Sequence, residues 1–424
     1  MTDKVEKLLQ RLELAQPKIA ERDRRYRGIQ PLKFTADEVR GDLKTFSVNL
    51  CRLAVNSVAE RMRVNKIKAT VNGQDVSVRT ALWWNYSGMD QLLQSVLADA
   101  LAVGSAYLVV WTDGDERPII TVESAEHVVT EHDPITREVT GAVKRWYERD
   151  HLGIVVQEHV VHYEPQAVTH YVRSEAGALE VVGEALDNPL NLVPVVPLIN
   201  LDRITDAQGY SVLDDMGPLV DALSKLLADM LVASEHVARP KRWATGVELE
   251  EATADGFTAD EVGEGVLLDA ETVKSPFSDA FSMWTTESPE AKFGQLPGAD
   301  LGGYKTSVEL VLQQIMAVTA LPAHMVGITT SNPSSAEAIR AAEASLTARA
   351  AGRIRVLGIA IQQAIRILVA IDTGRDIDDI AVDLVWADPA TKSPAQEADA
   401  LTKLHSLGIV TTEEARTKMG LDAL

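Results

Sequence analysis

The stretch that most constrains this chain is residues 321–344, LPAHMVGITTSNPSSAEAIRAAEA, because it forces one helix to stop and another to begin within a few residues. Upstream, Val308, Leu310, Val311, Leu312, Ile315, Met316 and Val318 put apolar groups on one broad helical face. Leu321-Pro322 ends that run, since proline disfavours helical backbone in the residue before it. Downstream, Ser334 and Glu337 have the spacing of a capping box, in which the serine accepts from the N–H three residues on and the glutamate reaches back. Such a cap stabilises a helix by about 1 kcal/mol. Between the two lie Gly327, Thr329, Thr330, Ser331, Asn332 and Pro333, small, uncharged and turn-forming. On local pattern they predict a surface loop joining two packed helices.

The rest of the chain falls into helix and strand by period. Residues 3–25 read as a charged helix broken by Gly28 and Pro31, and Thr35 with Glu38 predicts a capped helix reaching about Met62. Asn72-Gly73 predicts a hairpin. Residues 89–103 read as a helix with Leu92, Leu93, Val96 and Leu97 inward, ended by Gly104 before a strand at 105–111. From there to about Val182 strand follows strand, with turns at Asp113-Gly114 and Asp133-Pro134, which predicts an antiparallel α+β region. Residues 218–237 form the next helix, with proline in its first turn and Pro240 after its end. Helix resumes near Tyr304 and again over 335–368, where Gly352 and Gly358 leave room for a bend. Ile380, Val382, Leu384 and Trp386 alternate as a strand does, and two helices follow, one from Ser393 and Pro394, one from Thr411 with Glu414, with Gly408 between. At 424 residues the chain exceeds what a single core holds, so two or more substructures are expected.

Charge narrows the function classes. The 62 acidic and 41 basic side chains leave a net charge of −21, which argues against a protein that grips phosphates through a basic surface. The imbalance is local: residues 248–300 hold 13 acids against Lys274 and Lys292, whereas residues 1–27 hold eight bases and five acids. The single cysteine, Cys51, excludes an intrachain disulfide and fits a reducing compartment. The charged start MTDKVEKLLQ lacks a secretory core, and the best apolar run, 96–111, is short and contains Asp99. A soluble intracellular protein is expected.

Motifs for catalysis are missing. There is no phosphate-binding Gly-x-x-x-x-Gly-Lys and no Gly-x-Ser-x-Gly elbow. His127, His132, His151, His159, His162 and His170 cluster in the strand-rich region, but at no zinc spacing, and no metal is expected. Asp113, Asp115 and Glu116 resemble the start of a calcium loop, yet its glycine and distal glutamate are missing, so a hairpin turn is the better reading. Glu250-Glu251 reads as a solvated face. Arg239, Lys241 and Arg242 with Trp243 form a basic cluster that admits two readings: contact with phosphates or a partner, or neutralisation of the preceding helix's C-terminal end.

The segment at 321–344, with its helix ending at Leu-Pro, small-residue loop and alanine-rich helix starting at Ser335-Ala336-Glu337-Ala338, resembles the tunnel-loop region of bacteriophage portal proteins. Two further blocks match in the family's order. One is Pro194-Val195-Val196-Pro197-Leu198-Ile199-Asn200 leading to Gly209-Tyr210-Ser211-Val212-Leu213; the other is Trp386 followed by a helical hairpin. The resemblance implies an α+β portal fold: wing at 1–213, stem helix 214–238, clip 239–301, second stem helix 302–321, tunnel loop 322–334, long wing helix 335–375 and helical crown 376–424. It further implies a homo-oligomeric ring of about twelve, no catalytic residue, cofactor or membrane, and location at a capsid vertex after assembly in the host cytoplasm. The expected partners are terminase, a head-completion adaptor, capsid and scaffolding proteins and double-stranded DNA. Thr329, Thr330, Ser331 and Asn332 would face the DNA channel, Arg239, Lys241 and Arg242 would lie where stem meets clip, and Glu248, Glu250, Glu251, Asp260, Glu261 and Glu264 would form a docking surface. One departure stands out: some portals carry basic residues at the constriction, and residues 327–335 carry no charge. The alternatives are another virion structural protein, such as an adaptor or minor head protein, or an enzyme on an acidic α+β scaffold.

Overall fold

The computed structural model describes residues 2–33, 46–174, 176–205, 208–238, 242–245, 290, 292–295, 301–327, 336–390 and 394–418. Helix α1, Thr2–Arg27, buries Val5, Leu8, Leu9, Leu12 and Ile19 and ends where Gly28 turns left-handed. Helix α2, Leu50–Ala59, begins where the Asn49 side chain accepts the Arg52 N–H. This corrects the longer helix expected there: residues 46–49 are not helical, and the Asn49 cap sets the start, whereas Thr35 and Glu38 lie outside the described residues. Strand β1, Val64–Val71, turns through Asn72 and Gly73, both at positive φ, into β2, Gln74–Asp75. Helix α3, Ser77–Tyr86, was not legible in the sequence; it buries only Thr80 and Trp84, too few to set a period. Helix α4, Met89–Val103, stops at Gly104, whose φ of 103° suits glycine, as expected.

Nine strands come next: β3 (Ser105–Thr112), β4 (Pro118–Ser124), β5 (Val128–His132), β6 (Val139–Arg149), β7 (Val155–Tyr163), β8 (Ala167–Arg173), β9 (Leu179–Val181), β10 (Leu186–Asp187) and β11 (Val195–Ile199). They form two antiparallel sheets, one ordered β11-β3-β4, the other β10-β8-β7-β6-β5 with β9 also on β8. The β3–β4 turn is closed by Asp113, whose carboxylate accepts the N–H groups of Asp115 and Arg117 at 2.9 Å. That is the hairpin-turn reading of these acids.

Helix α5, Val212–Ala238, starts six residues before the expected Pro218. Leu213, Met216, Val220 and Leu223 form one buried face that runs through the proline, and the Ser211 hydroxyl accepts the Leu213 N–H at its head. Packing thus holds a helix that local sequence would begin later. Strands β12 (Arg242–Thr245) and β13 (Lys292–Gln295) pair antiparallel, and helix α6 (Gly302–Thr319) returns to pack on α5. A 3-10 turn follows at Ala323–Val326. Helix α7, Ala336–Thr373, is long and apolar enough to cross a membrane, so among the described residues the stretch that meets both conditions lies here and not at 96–111. Half of that stretch is buried, with α7 packed on β3, β4, β11 and strand β14, Ile380–Trp386. It therefore reads as a core helix packed against the sheets. β14 pairs with β1 from Val64↔Trp386 to Val71↔Ile380. Helices α8 (Pro394–Ser406) and α9 (Thr412–Lys418) end the described chain, joined through Gly408 at positive φ. The Thr411 N–H donates to Glu414 at 2.9 Å and the Glu414 N–H to Thr411 at 3.2 Å, the capping box expected there.

Candidate functional site

The approach to residue 328 is built by local chain stops. Helix α6 ends at Ala320 in left-handed conformation, Leu321 is buried, Pro322 is extended, and the 3-10 turn closes at Gly327 with φ 80°. These residues are held to the body of the fold. His324 Nε2 lies 3.4 Å from Glu343 Oε1 on α7, and Arg61, just past α2, reaches Glu343 Oε2 at 3.2 Å. Arg349 donates to the Val318 carbonyl at 2.8 Å. One buried carboxylate, Glu343, thereby ties together the residues on both sides of 328–335. Nothing in the local pattern marks Glu343 for this; only the fold brings it to His324. Thr329, Thr330, Ser331, Asn332 and Ser334 lie outside the described residues.

The second feature is the helix pair α5–α6 with the strand pair β12–β13 between them in sequence. Arg242 sits on β12 opposite Gln295, so the chain leaves the helices and returns to them through one antiparallel ladder. Arg239, Lys241, Glu248, Glu250, Glu251, Asp260, Glu261 and Glu264 lie outside the described residues. The basic excess of the N-terminus is largely spent on α5. Arg22 forks onto Asp214, Arg25 forks onto Asp221 at 3.1 Å, and Lys18 and Lys33 add to the same two carboxylates. Both members of the Arg25–Asp221 pair are buried, and such pairs fix geometry more than they add stability.

The blocks at 194–200 and 209–213 meet at one joint. Asn200 donates its backbone N–H to the Gly104 carbonyl and its side-chain amide to the Tyr210 carbonyl. A side chain on Gly209 has no room, since its Cβ would lie 1.8 Å from the Gly104 oxygen.

A cavity of about 510 Å³ opens between the two large sheets, walled by Trp111, Trp146, Tyr163, Val182 and Leu186 with Lys144 and His170. Lys144 is paired with Glu123 at 2.5 Å. His170 Nε2 lies 3.1 Å from His159 Nδ1, with ring planes 21° apart and centroids at 5.3 Å, so the imidazoles meet nearly edge to edge. Trp146 stacks over both. Burial and the neighbouring His159 hold His170 below the usual histidine range. The separation is that of a hydrogen bond between the two ring nitrogens. Among the described residues no three His, Cys, Asp or Glu side chains form a group able to hold a metal ion.

Comparison with known proteins adds three findings. The family model described as phage portal protein, SPP1 Gp6-like, matches residues 5–421. The portal proteins of Mycobacterium phages L5 and D29 are 29% and 28% identical over 382 residues, covering 87% of this chain and 75% of each relative. Among solved structures, a chain in the neck of an empty gene transfer agent particle, computed with C6 symmetry, aligns over 88% of each chain at 14% identity and a TM-score of 0.45. A chain in the neck of the native particle, computed with C12 symmetry, gives the same identity and TM-score over 93% of this chain and 96% of that one.

Proposed function

The chain belongs to the phage portal protein family, and on that premise we propose that it is one subunit of a portal ring at a capsid vertex, through which double-stranded DNA is packaged, held and released. The observation that carries this reading is the family match from residue 5 to residue 421, which spans the helices, sheets and insertion together. The family is a structural one, and no catalytic residue is assigned.

Within the ring, α5 and α6 serve as the two stem helices, residues 239–301 as the clip, 322–334 as the tunnel loop, 335–375 as the long wing helix and 376–424 as the crown. The packing of α6 on α5 and the β12–β13 ladder that lies between them in sequence support the assignment. Thr329, Thr330, Ser331 and Asn332 touch DNA lightly, since hydroxyl and amide groups bond phosphates without the long-range pull of lysine. The acids at 248–264 dock basic surfaces of terminase or of a head-completion adaptor, while capsid and scaffolding proteins meet the wing. Assembly takes place in the host cytoplasm, and about twelve copies close the ring.

Native mass measurement of the purified protein tests the reading. A large closed oligomer is expected, and a strict monomer at about micromolar concentration and physiological salt would overturn it.

A further inference from the structure

The cavity between the sheets and the turn between β6 and β7 are complementary features of one chain. Of the polar residues in the cavity wall, Lys144 is paired with Glu123 and His170 with His159, while Thr112, Thr121 and Glu184 line it as well; the larger part of the wall, with two tryptophans, a tyrosine, Val182 and Leu186, is apolar and suited to apolar side chains. Its volume of about 510 Å³ is that of clefts which enclose several such groups. The turn is the reverse. Strand β8 pairs with β7 only from His159 to Tyr163, and β5 pairs with β6 only from Val139 to Lys144. Past Arg145 on β6 and before Gln157 on β7, the two strands pair with each other alone among the described residues, as a two-stranded ribbon. At its tip Leu152, Ile154 and Val156 are 71%, 61% and 62% exposed. Apolar groups gathered on a protrusion mark a contact surface.

The ribbon does not reach its own cavity. Trp146 is in the cavity wall, and Asp150 at the turn lies four residues further along an extended strand, roughly 13 Å away at about 3.3 Å per residue, with Ile154 level with it and Leu152 beyond it. A tip that fills such a cavity therefore comes from another molecule. A ring of identical chains is built from head-to-tail contacts, in which each copy shows its neighbours two unlike surfaces, and an apolar projection with an apolar cavity is such a pair. We propose that the β6–β7 tip, residues 152–156, of one subunit seats in the cavity between the sheets of the adjacent subunit. The proposal rests on the ring reading above.

Covalent trapping tests it. Leu152→Cys and Leu186→Cys change two exposed positions, one on the tip and one in the cavity wall. The native Cys51 stays out of the reaction, because burial pushes its thiol up to about 12. Treated with a short bismaleimide, rings of the double variant should give a ladder of covalent multimers. Rings mixed from the two single variants should stop at dimers, since each copy then carries half of the link, and either single variant alone should stay uncrosslinked. In a second experiment Leu152→Asp with Ile154→Asp should lower the ring fraction at ~1 µM by about tenfold or more, with the far-ultraviolet circular dichroism of the subunit unchanged. Rings that form normally with both aspartates and yield no ladder would overturn this contact and leave the ring intact. Wild-type protein that stays monomeric would overturn the contact and the ring together.

Discussion

At Gly209 the backbone itself leaves no choice of residue. A methyl group there would sit 1.8 Å from the Gly104 oxygen, and φ is +83°. Gly209→Ala should destabilise the subunit by about 3 kcal/mol or more, overpacking adding to left-handed strain, read as a lowered denaturant midpoint or loss of soluble protein. His162 makes a different prediction. Its ring is fully buried among α1 and the sheet, with Glu164 at 3.6 Å, Lys4 and Glu131 nearby, and neither ring nitrogen has a hydrogen-bond partner among the described residues. Burial holds it below the usual histidine range. The unfolded chain then takes up a proton near the ordinary histidine pKa while the folded one does not, so stability is lost as pH falls from there toward the folded value. Urea midpoints should drop between about pH 7.5 and 5.5. In His162→Leu that drop should be shallower, and an equal drop would assign it to other groups.

Elements show where local signals suffice and where they fail. The left-handed stop at Ala320 and the extended Pro322 end α6 as Leu321-Pro322 implied, and the distant Arg349 adds a hydrogen bond to the Val318 carbonyl in its last turn. The residues flanking 328–335 are then fixed by Arg61, His324 and Glu343, all of which lie outside 328–335. Removing a few residues within 328–333 should accordingly leave rings able to form. DNA packaging or retention should fail, because the removed hydroxyl and amide groups are those proposed to meet DNA. The DNA content of particles assembled with the shortened subunit checks this, and normal content would remove the loop from the mechanism.

For the whole molecule, charge is partitioned by use. Lys18, Arg22 and Arg25 of the N-terminal helix pair with Asp214 and Asp221 of α5, whereas the 13 acids of residues 248–300 face two bases in their own segment. A segment of that charge attracts basic partners over a Debye length of about 8 Å at physiological salt. Reversing Glu248, Glu250, Glu251 and Glu264 to lysine should weaken terminase or adaptor binding and flatten its salt dependence. Binding unchanged in strength and salt sensitivity would move the docking surface elsewhere.

What the sequence determined by itself are features settled within about four residues along the chain: the Asn72-Gly73 hairpin, the stop at Gly104, the box of Thr411 and Glu414, the strand period from 105 to 182. Turn conformation, capping and amphipathic period are local energies, and they are written in adjacent letters. Only tertiary structure decided that β14 completes the sheet of β1, that α5 starts before its proline, that Arg61, His324 and Glu343 meet, and that a cavity forms between two sheets. Each of these joins residues far apart in sequence, whose contact energy leaves no mark on the spacing around either one and arises only when the chain has closed on itself.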